Sequence, residues 1–264
     1  MKKRILVANR GEIAIRLIRA IQELGLDAIA VYETPDEMSR HIRIADEAVL
    51  LGDGPRCDYL NIESGSAVLD LACGKGRHSR TLNKLGFKVT GADLSSNSIK
   101  EAIHEGPTEI RYVVHDMREI IPEGRYDVVF NLFTSFGYFD GISDNARVIQ
   151  SISSMLEKDG LLVIDFMNAR KVIDHLVKDE VKRAGNIDFN ISRRYDGKHI
   201  FKDIQFIDDG FEYHYTERVQ ALFKNDFEQL LLAEGLTIIH TFGNFDLELF
   251  NEENSDRLII IAKK

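Results

Sequence analysis

The chain has 264 residues, of which 34 are Lys or Arg and 43 are Asp or Glu, for a formal net charge of -9. That acidic balance argues against a broad nucleic-acid footprint, which needs a basic face to displace phosphate counterions, and favours a small molecule as partner. With 44% hydrophobic and 29% charged residues, the sequence can bury a sizeable core, as one large α/β domain or one domain plus a fragment.

"KRILVA" opens as a short β-branched run expected of a buried strand. "GEIAIRLIRAIQELG" follows as a helix with Ile13, Leu17, Ile21 and Leu24 at helical spacing, and Gly25 sits where a C-terminal cap is wanted. "LDAIAVYE" and "DEAVLLGD" read as strands, with "TPDEMSRHIRIA" between them as a loop and short helix. The first segment is therefore β-α-β-α-β, half of a doubly wound sheet. Its strand edges and apolar surfaces need burial, and a homodimer through the unpaired edge is one expected solution.

From Gly65 the alternation restarts. "SAVLDLA", "FKVTGAD", "IRYVVHD", "YDVVFNLF" and "LLVIDFM" read as strands. The helices between them are "RHSRTLNKLG", "SSNSIKEAIHE", with serines suited to N-capping, and "SDNARVIQSISSMLEKDG", ending in glycine. Residues 168–178 look helical. Residues 181–223 alternate apolar and polar, with Asp196-Gly197 and Asp209-Gly210 as hairpin turns, and read as an inserted antiparallel sheet. "NDFEQLLLAEG" returns to helix, and "LTIIHTFG" and "RLIIIAKK" close as an antiparallel hairpin. The fold class is thus α/β: a Rossmann-like, doubly wound, mostly parallel sheet with a C-terminal hairpin, an antiparallel insertion and an N-terminal half-domain. Two domains are expected, 1–64 and 65–264.

Cys57 and Cys73 form no CxxC pair and no disulfide framework, as expected of reduced thiols in a cytoplasmic protein. The eight histidines include no HExxH pattern, so no metal is expected. The apolar run at residues 5–8 is too short for a signal peptide, and no stretch is long enough to span a membrane.

The string Asp70-Leu-Ala-Cys-Gly74-Lys-Gly76 lies between a strand and a helix, where glycines let a ligand approach the backbone of an open α/β sheet. Asp93 ends the next strand, where a carboxylate can accept from both ribose hydroxyls, and Asp116 ends the third, within reach of an adenine amino group. A nicotinamide dinucleotide is the rival. Against it, Gly74-x-Gly76-x-x-Ser79 lacks the third glycine, Lys75, Arg77 and His78 are bulky, and the third acid has no place in that pattern. A phosphate-free, cationic nucleoside such as S-adenosylmethionine tolerates these acids better.

"VLDLACGKGRHS", "VTGADLS", "YVVHDMRE", "YDVVFNLFTSFGYF" and "DGLLVIDFMN" together resemble a class I S-adenosylmethionine-dependent methyltransferase of the small-molecule type, over residues 65–264. The resemblance implies S-adenosylmethionine as cofactor, S-adenosylhomocysteine as product and a small-molecule acceptor. By the same resemblance, Asp70, Ala72, Gly74 and Gly76 form the turn over the methionine part, and Asp93 and Leu94 hold the ribose. Asp116 and Met117 flank the adenine, and Asn131 and Phe133 lie beside the cofactor.

"ILVANRGEIAIRLIRAIQELGLDAIAVY", "HIRIADEAVLLG" and "YLNI" resemble the start of biotin carboxylase, over residues 1–62. Carboxylation in that family needs a later ATP-grasp domain, so carboxylase activity is not expected. The join after Ser64 reads as a chimera, natural or engineered, and a folded scaffold without turnover is the alternative to an active enzyme.

Ser135, Tyr138, Tyr213, His214, Tyr215 and Arg218 are candidates beside an acceptor, and Arg193 and Arg194 could recognise an acidic one. For all of these, strand packing or a solvated face is the stronger expectation. No catalytic residue is assigned, because in-line methyl transfer needs a base only where the acceptor must first lose a proton.

Overall fold

A computed structural model describes residues 4–7, 11–32, 40–50 and 62–264. Cys57, most of "YLNI" and the loop expected at 33–39 lie outside these described residues. The chain divides into two compact units, Met1–Glu63 and Ser64–Lys264.

In the smaller unit, β1 (Arg4–Val7), β2 (Asp27–Tyr32) and β3 (Glu47–Leu50) form a parallel sheet in that order, with α1 (Gly11–Glu23) and α2 (Arg40–Ile44) as connections. Gly25, at φ +73°, ends α1 as expected: its N–H bonds Gln22 O, and the Leu26 N–H reaches back to Ile21 O. The buried stripe of α1 differs from the expected one. Ala14, Ile18 and Ile21 pack on Val7, Ala28 and Ala30, whereas Leu17 and Leu24 are exposed. The i, i+4, i+7 set that contains the small Ala14 lets the helix lie close to the sheet.

In the larger unit, seven strands form one sheet. They are β4 (Ala67–Leu71), β5 (Lys88–Asp93), β6 (Arg111–Val114), β7 (Tyr126–Asn131), β8 (Leu156–Met167), β13 (Thr237–Phe242) and β14 (Arg257–Lys263). Their order is β13-β14-β8-β7-β4-β5-β6, with β14 antiparallel to both neighbours. The helices are α3 (Arg77–Lys84), α4 (Ser96–Glu105), α5 (Ile142–Met155), α6 (Ala169–Asp174) and α7 (Lys224–Ala233). Ser95 caps α4 through Oγ, which accepts from Ser98 N at 3.2 Å. The core joins α5 and α7 to the sheet: Phe227 meets Phe136 at 5.5 Å and Phe166 at 5.3 Å between ring centres.

Two boundaries shift from the sequence expectation. Helix α5 stops at Met155 rather than at Gly160, because Leu156 already pairs with Tyr126 and starts β8. The Lys264 ammonium then takes the freed Ser153 and Leu156 carbonyls. Helix α6 ends at Asp174, four residues before Lys178.

The insertion is a four-stranded antiparallel sheet in the order β12-β11-β10-β9, from β9 (Asp179–Ala184), β10 (Ile187–Tyr195), β11 (His199–Asp208) and β12 (Phe211–Gln220). Its Asp209-Gly210 turn has both residues at positive φ, 47° and 80°, which matches the twist of a tight hairpin.

Candidate functional site

Strand order reverses at β4: β5 and β6 lie to one side, β7 and β8 to the other. Loops leaving β4 and β7 therefore diverge and open a crevice at their carboxyl ends. A cleft of about 280 Å³ lies there, between the β4–α3 turn and the loop after β7.

Four of the ten expected residues line it: Asp70, Ala72, Gly74 and Phe133. Asp70 is only 2% exposed, and Ser79 Oγ donates to its Oδ2 at 2.5 Å. Burial pushes the Asp70 carboxyl up, and the Ser79 hydroxyl opposes it. Asp70 thus ties β4 to α3 and fixes the turn between them. That turn places Ala72, Gly74 and Gly76 at φ 64°, 54° and 74°. A methyl group on Gly74 would meet nothing within 4 Å, so a ligand has free approach at this backbone. Gly76 differs. Its Cβ would stand 2.3 Å from Tyr112 Oη, so this glycine accommodates a neighbouring side chain.

Asp93 borders the cleft through its carboxylate. Oδ2 accepts from Gly74 N at 2.9 Å and Oδ1 from Ser95 N at 2.8 Å. A carboxylate offers about four acceptor positions, so two remain for hydroxyls. Asn131 is fully buried: its Nδ2 donates to Leu71 O at 3.1 Å, and Oδ1 has no partner among the described residues. Leu94, 70% exposed, lies past the end of β5, outside the cleft lining. Asp116 and Met117 follow β6, also outside it. Asp116 is held by Arg118, whose Nη2 donates at 2.6 Å and whose N donates at 3.0 Å. These bonds hold its carboxyl well below the usual range, at about 2. The Met117 carbonyl accepts from Ser151 Oγ at 2.6 Å.

Lys75, Arg77 and His78 add a basic wall to the cleft. The Phe133 ring stacks on His78 at 4.8 Å, with the Arg77 guanidinium 5.0 Å from its centre and Phe245 at 5.9 Å. Phe133 and Thr134 are both left-handed, at φ 57° and 61°, a conformation that costs a non-glycine residue about 1–3 kcal/mol. Asp165 and Arg257 are hydrogen-bonded to this turn, and sequence reading missed both. The available signal was a lone acid inside the apolar strand "LLVIDFM".

Of the acceptor candidates, Ser135 lines the cleft with its hydroxyl donating to Leu132 O at 2.7 Å, and Tyr138 is half-exposed with its phenol pushed up by burial. The others are engaged within or beside the inserted sheet. Tyr213 and Tyr215 stack on Phe206, and His214 stands 3.5 Å from Asp203. Arg193 pairs with Glu180, Arg194 lies over Phe201, and Arg218 pairs with Asp140. Among the described residues no group of acids, histidines and cysteines could hold a metal ion, and no helix is long and apolar enough to cross a membrane.

The family profile described as "methyltransferase domain" matches residues 62–222. The chain belongs to this methyltransferase family. A second profile, "biotin carboxylase, N-terminal domain", matches residues 1–76, so the chain is a chimera of two families. The glycine/sarcosine N-methyltransferase of Aphanothece halophytica is 27% identical over 75% of this chain and 76% of its own length. The small subunit of 2-oxoglutarate carboxylase from Hydrogenobacter thermophilus is 49% identical over 27% of this chain, but only 15% of that subunit is covered. Among solved structures, an S-adenosylmethionine-dependent methyltransferase from Clostridium acetobutylicum superposes with a TM-score of 0.69 at 20% identity, covering 78% of this chain and 87% of that one. At that identity the likeness shows the methyltransferase fold alone.

Proposed function

We propose that the methyltransferase unit binds S-adenosylmethionine in the β4–β7 cleft and transfers its methyl group in line to a small-molecule acceptor, releasing S-adenosylhomocysteine. One observation carries this reading: a left-handed glycine turn with free approach at Gly74, bonded through its amide to an Asp93 carboxylate that keeps two acceptor positions. Asn131 Oδ1, next in sequence to the cleft-lining Leu132 and without a partner among the described residues, also suits a cationic ligand that brings N–H donors.

The cofactor supplies an activated methyl on a sulfonium. The chain supplies placement. Asp93 and Leu94 would hold the ribose. Asp116, outside the cleft lining and kept ionised by Arg118, would accept from the adenine amino group beside Met117. The backbone of Ala72, Gly74 and Gly76 would carry the methionine part, with Phe133 beside it. Charge disperses as the methyl moves, so alignment and water exclusion do most of the work. An acceptor with a free lone pair needs no base.

Titration calorimetry with S-adenosylmethionine and S-adenosylhomocysteine tests the reading, and silence with both at millimolar concentration overturns it. Asp93→Asn should weaken binding by about 1–3 kcal/mol, read against its thermal stability because Asp93 also holds two amides. A second reading, a scaffold that binds without transferring, is motivated by the carboxylase-like piece that precedes β4. Binding with no methyl transfer across a panel of small amines and amino acids would favour it.

A further inference from the structure

We propose that Asp165 and Arg257 are positioning residues for the cleft: together they hold the Phe133–Thr134 turn in its left-handed form and so fix the Phe133 ring as the cleft wall. The inference rests on reading the cleft as the cofactor site. The two residues come from different strands, 92 positions apart in the chain.

The bonding is specific to the turn. Asp165 Oδ2 accepts from the Phe133 N–H at 2.9 Å, and the Asp165 carbonyl accepts from the Thr134 N–H at 2.9 Å. Arg257 Nε donates to Asp165 Oδ1 at 2.7 Å, and Arg257 Nη2 donates to Thr134 Oγ1 at 3.1 Å. Asp165 is 2% exposed, and Arg257 Nε is its ion-pair partner. Both turn residues are non-glycine with φ near +60°, and Thr134 is β-branched, which makes its conformation an outlier held from outside. Without the clamp, the turn relaxes to negative φ and swings the Phe133 ring off His78. The same guanidinium lies 6.0 Å from the Phe245 ring, which also stacks on Phe133. One buried ion pair therefore sets both the turn and the neighbour of its aromatic ring.

The test separates positioning from general stability by relaxing the turn itself. Full-length chain is titrated with S-adenosylhomocysteine in the wild type, Asp165→Asn, and Asp165→Asn combined with Thr134→Gly. Amide exchange at Phe133 and Thr134 is followed by NMR in each. Asp165→Asn should bind at least tenfold more weakly. Glycine at 134 adopts positive φ without help, so the double variant should return to within threefold of wild type. Affinity within twofold of wild type in Asp165→Asn overturns the proposal, and so does a double variant no tighter than the single. Should Asp165→Asn not fold, Arg257→Lys with and without Thr134→Gly carries the same comparison, because Lys keeps the charge but loses the second donor. If the wild type binds no nucleoside, the cofactor reading fails on its own. Exchange then decides: at least tenfold faster exchange at the two amides in Asp165→Asn supports the clamp, and unchanged protection overturns it.

Discussion

Gly74 and Gly76 stand two positions apart with the same backbone hand, yet their surroundings predict opposite phenotypes. A methyl group at 76 meets Tyr112 Oη at 2.3 Å, whereas one at 74 meets nothing within 4 Å. Gly76→Ala should therefore lose stability, about 2–4 kcal/mol from the left-handed backbone and the collision together, seen as a lowered thermal midpoint. Gly74→Ala should lose only about 1 kcal/mol of stability while its affinity for S-adenosylhomocysteine falls, because the methyl fills the ligand's approach. Equal effects on stability would remove the distinction. Cys73, between Ala72 and Gly74, is buried in the same turn. Burial first, then the Asp70 and Asp93 charges, pushes its thiol up to about 12. At pH 8 the native Cys73 peptide should react with iodoacetamide about a thousandfold more slowly than in unfolded chain, by mass spectrometry. Reaction at the unfolded rate would show that the thiol is not held in this environment.

The turn after β6 carries an acid-sensitive ion pair. The Arg118 fork holds the Asp116 carboxyl at about 2, below the ordinary 3.8, and Arg118 also donates to Asp144 at 3.1 Å. A carboxyl depressed by folding stabilises the native state above its unfolded value and loses that contribution as pH falls through its folded value. Arg118→Gln should thus be less stable than wild type at pH 5, and the difference should close between about pH 4 and pH 2 in urea melts. The pair is about one-quarter to one-third exposed, so solvent screening limits the pH-dependent part to about 1 kcal/mol. A difference constant from pH 5 to pH 2 would refute the assignment. Elements of this kind were legible in the sequence where local chemistry decides them: Gly25, the Ser95 cap and the Asp209-Gly210 turn stand where the residues place them. The end of α5 was not. Gly160 looked like a stop, but pairing of Leu156 with Tyr126 pre-empts it, and that partner lies 30 residues away. The α1 stripe misled for a related reason: Leu17 is apolar at the right period, but the sheet selects the face with Ala14. Beside the cleft, Asp70 in β4 and Asp93 at the end of β5 were legible as acids of the strand pattern, whereas Asp116 lies outside the cleft lining. The Asp165–Arg257 clamp was not legible, since only the antiparallel return of β14 beside β8 brings its two halves together.

At the scale of the whole chain, the two units carry separate buried clusters. Val7, Ala14, Ile18, Ile21, Ala28 and Ala30 make one, and the cluster around Leu69, Phe136, Phe166 and Phe227 makes the other. Clusters that share no residue unfold together only if something else couples them, so scanning calorimetry should show two transitions. Their sizes follow from the division after Glu63: about 45 kcal/mol of unfolding enthalpy for the smaller unit and about 140 kcal/mol for the larger, near 60 °C. The smaller should melt first, because a unit of roughly 60 residues buries a smaller fraction of its surface. Ligand then distinguishes them. S-adenosylhomocysteine at a hundred times its Kd adds about 2.7 kcal/mol to whichever unit binds it. The larger unit's midpoint should therefore rise by about 5–10 °C, with the smaller transition unmoved. A single transition that shifts as a whole would mean that the carboxylase-like piece has become part of the methyltransferase's cooperative core. A shift confined to the smaller transition would place the ligand away from the β4–β7 cleft.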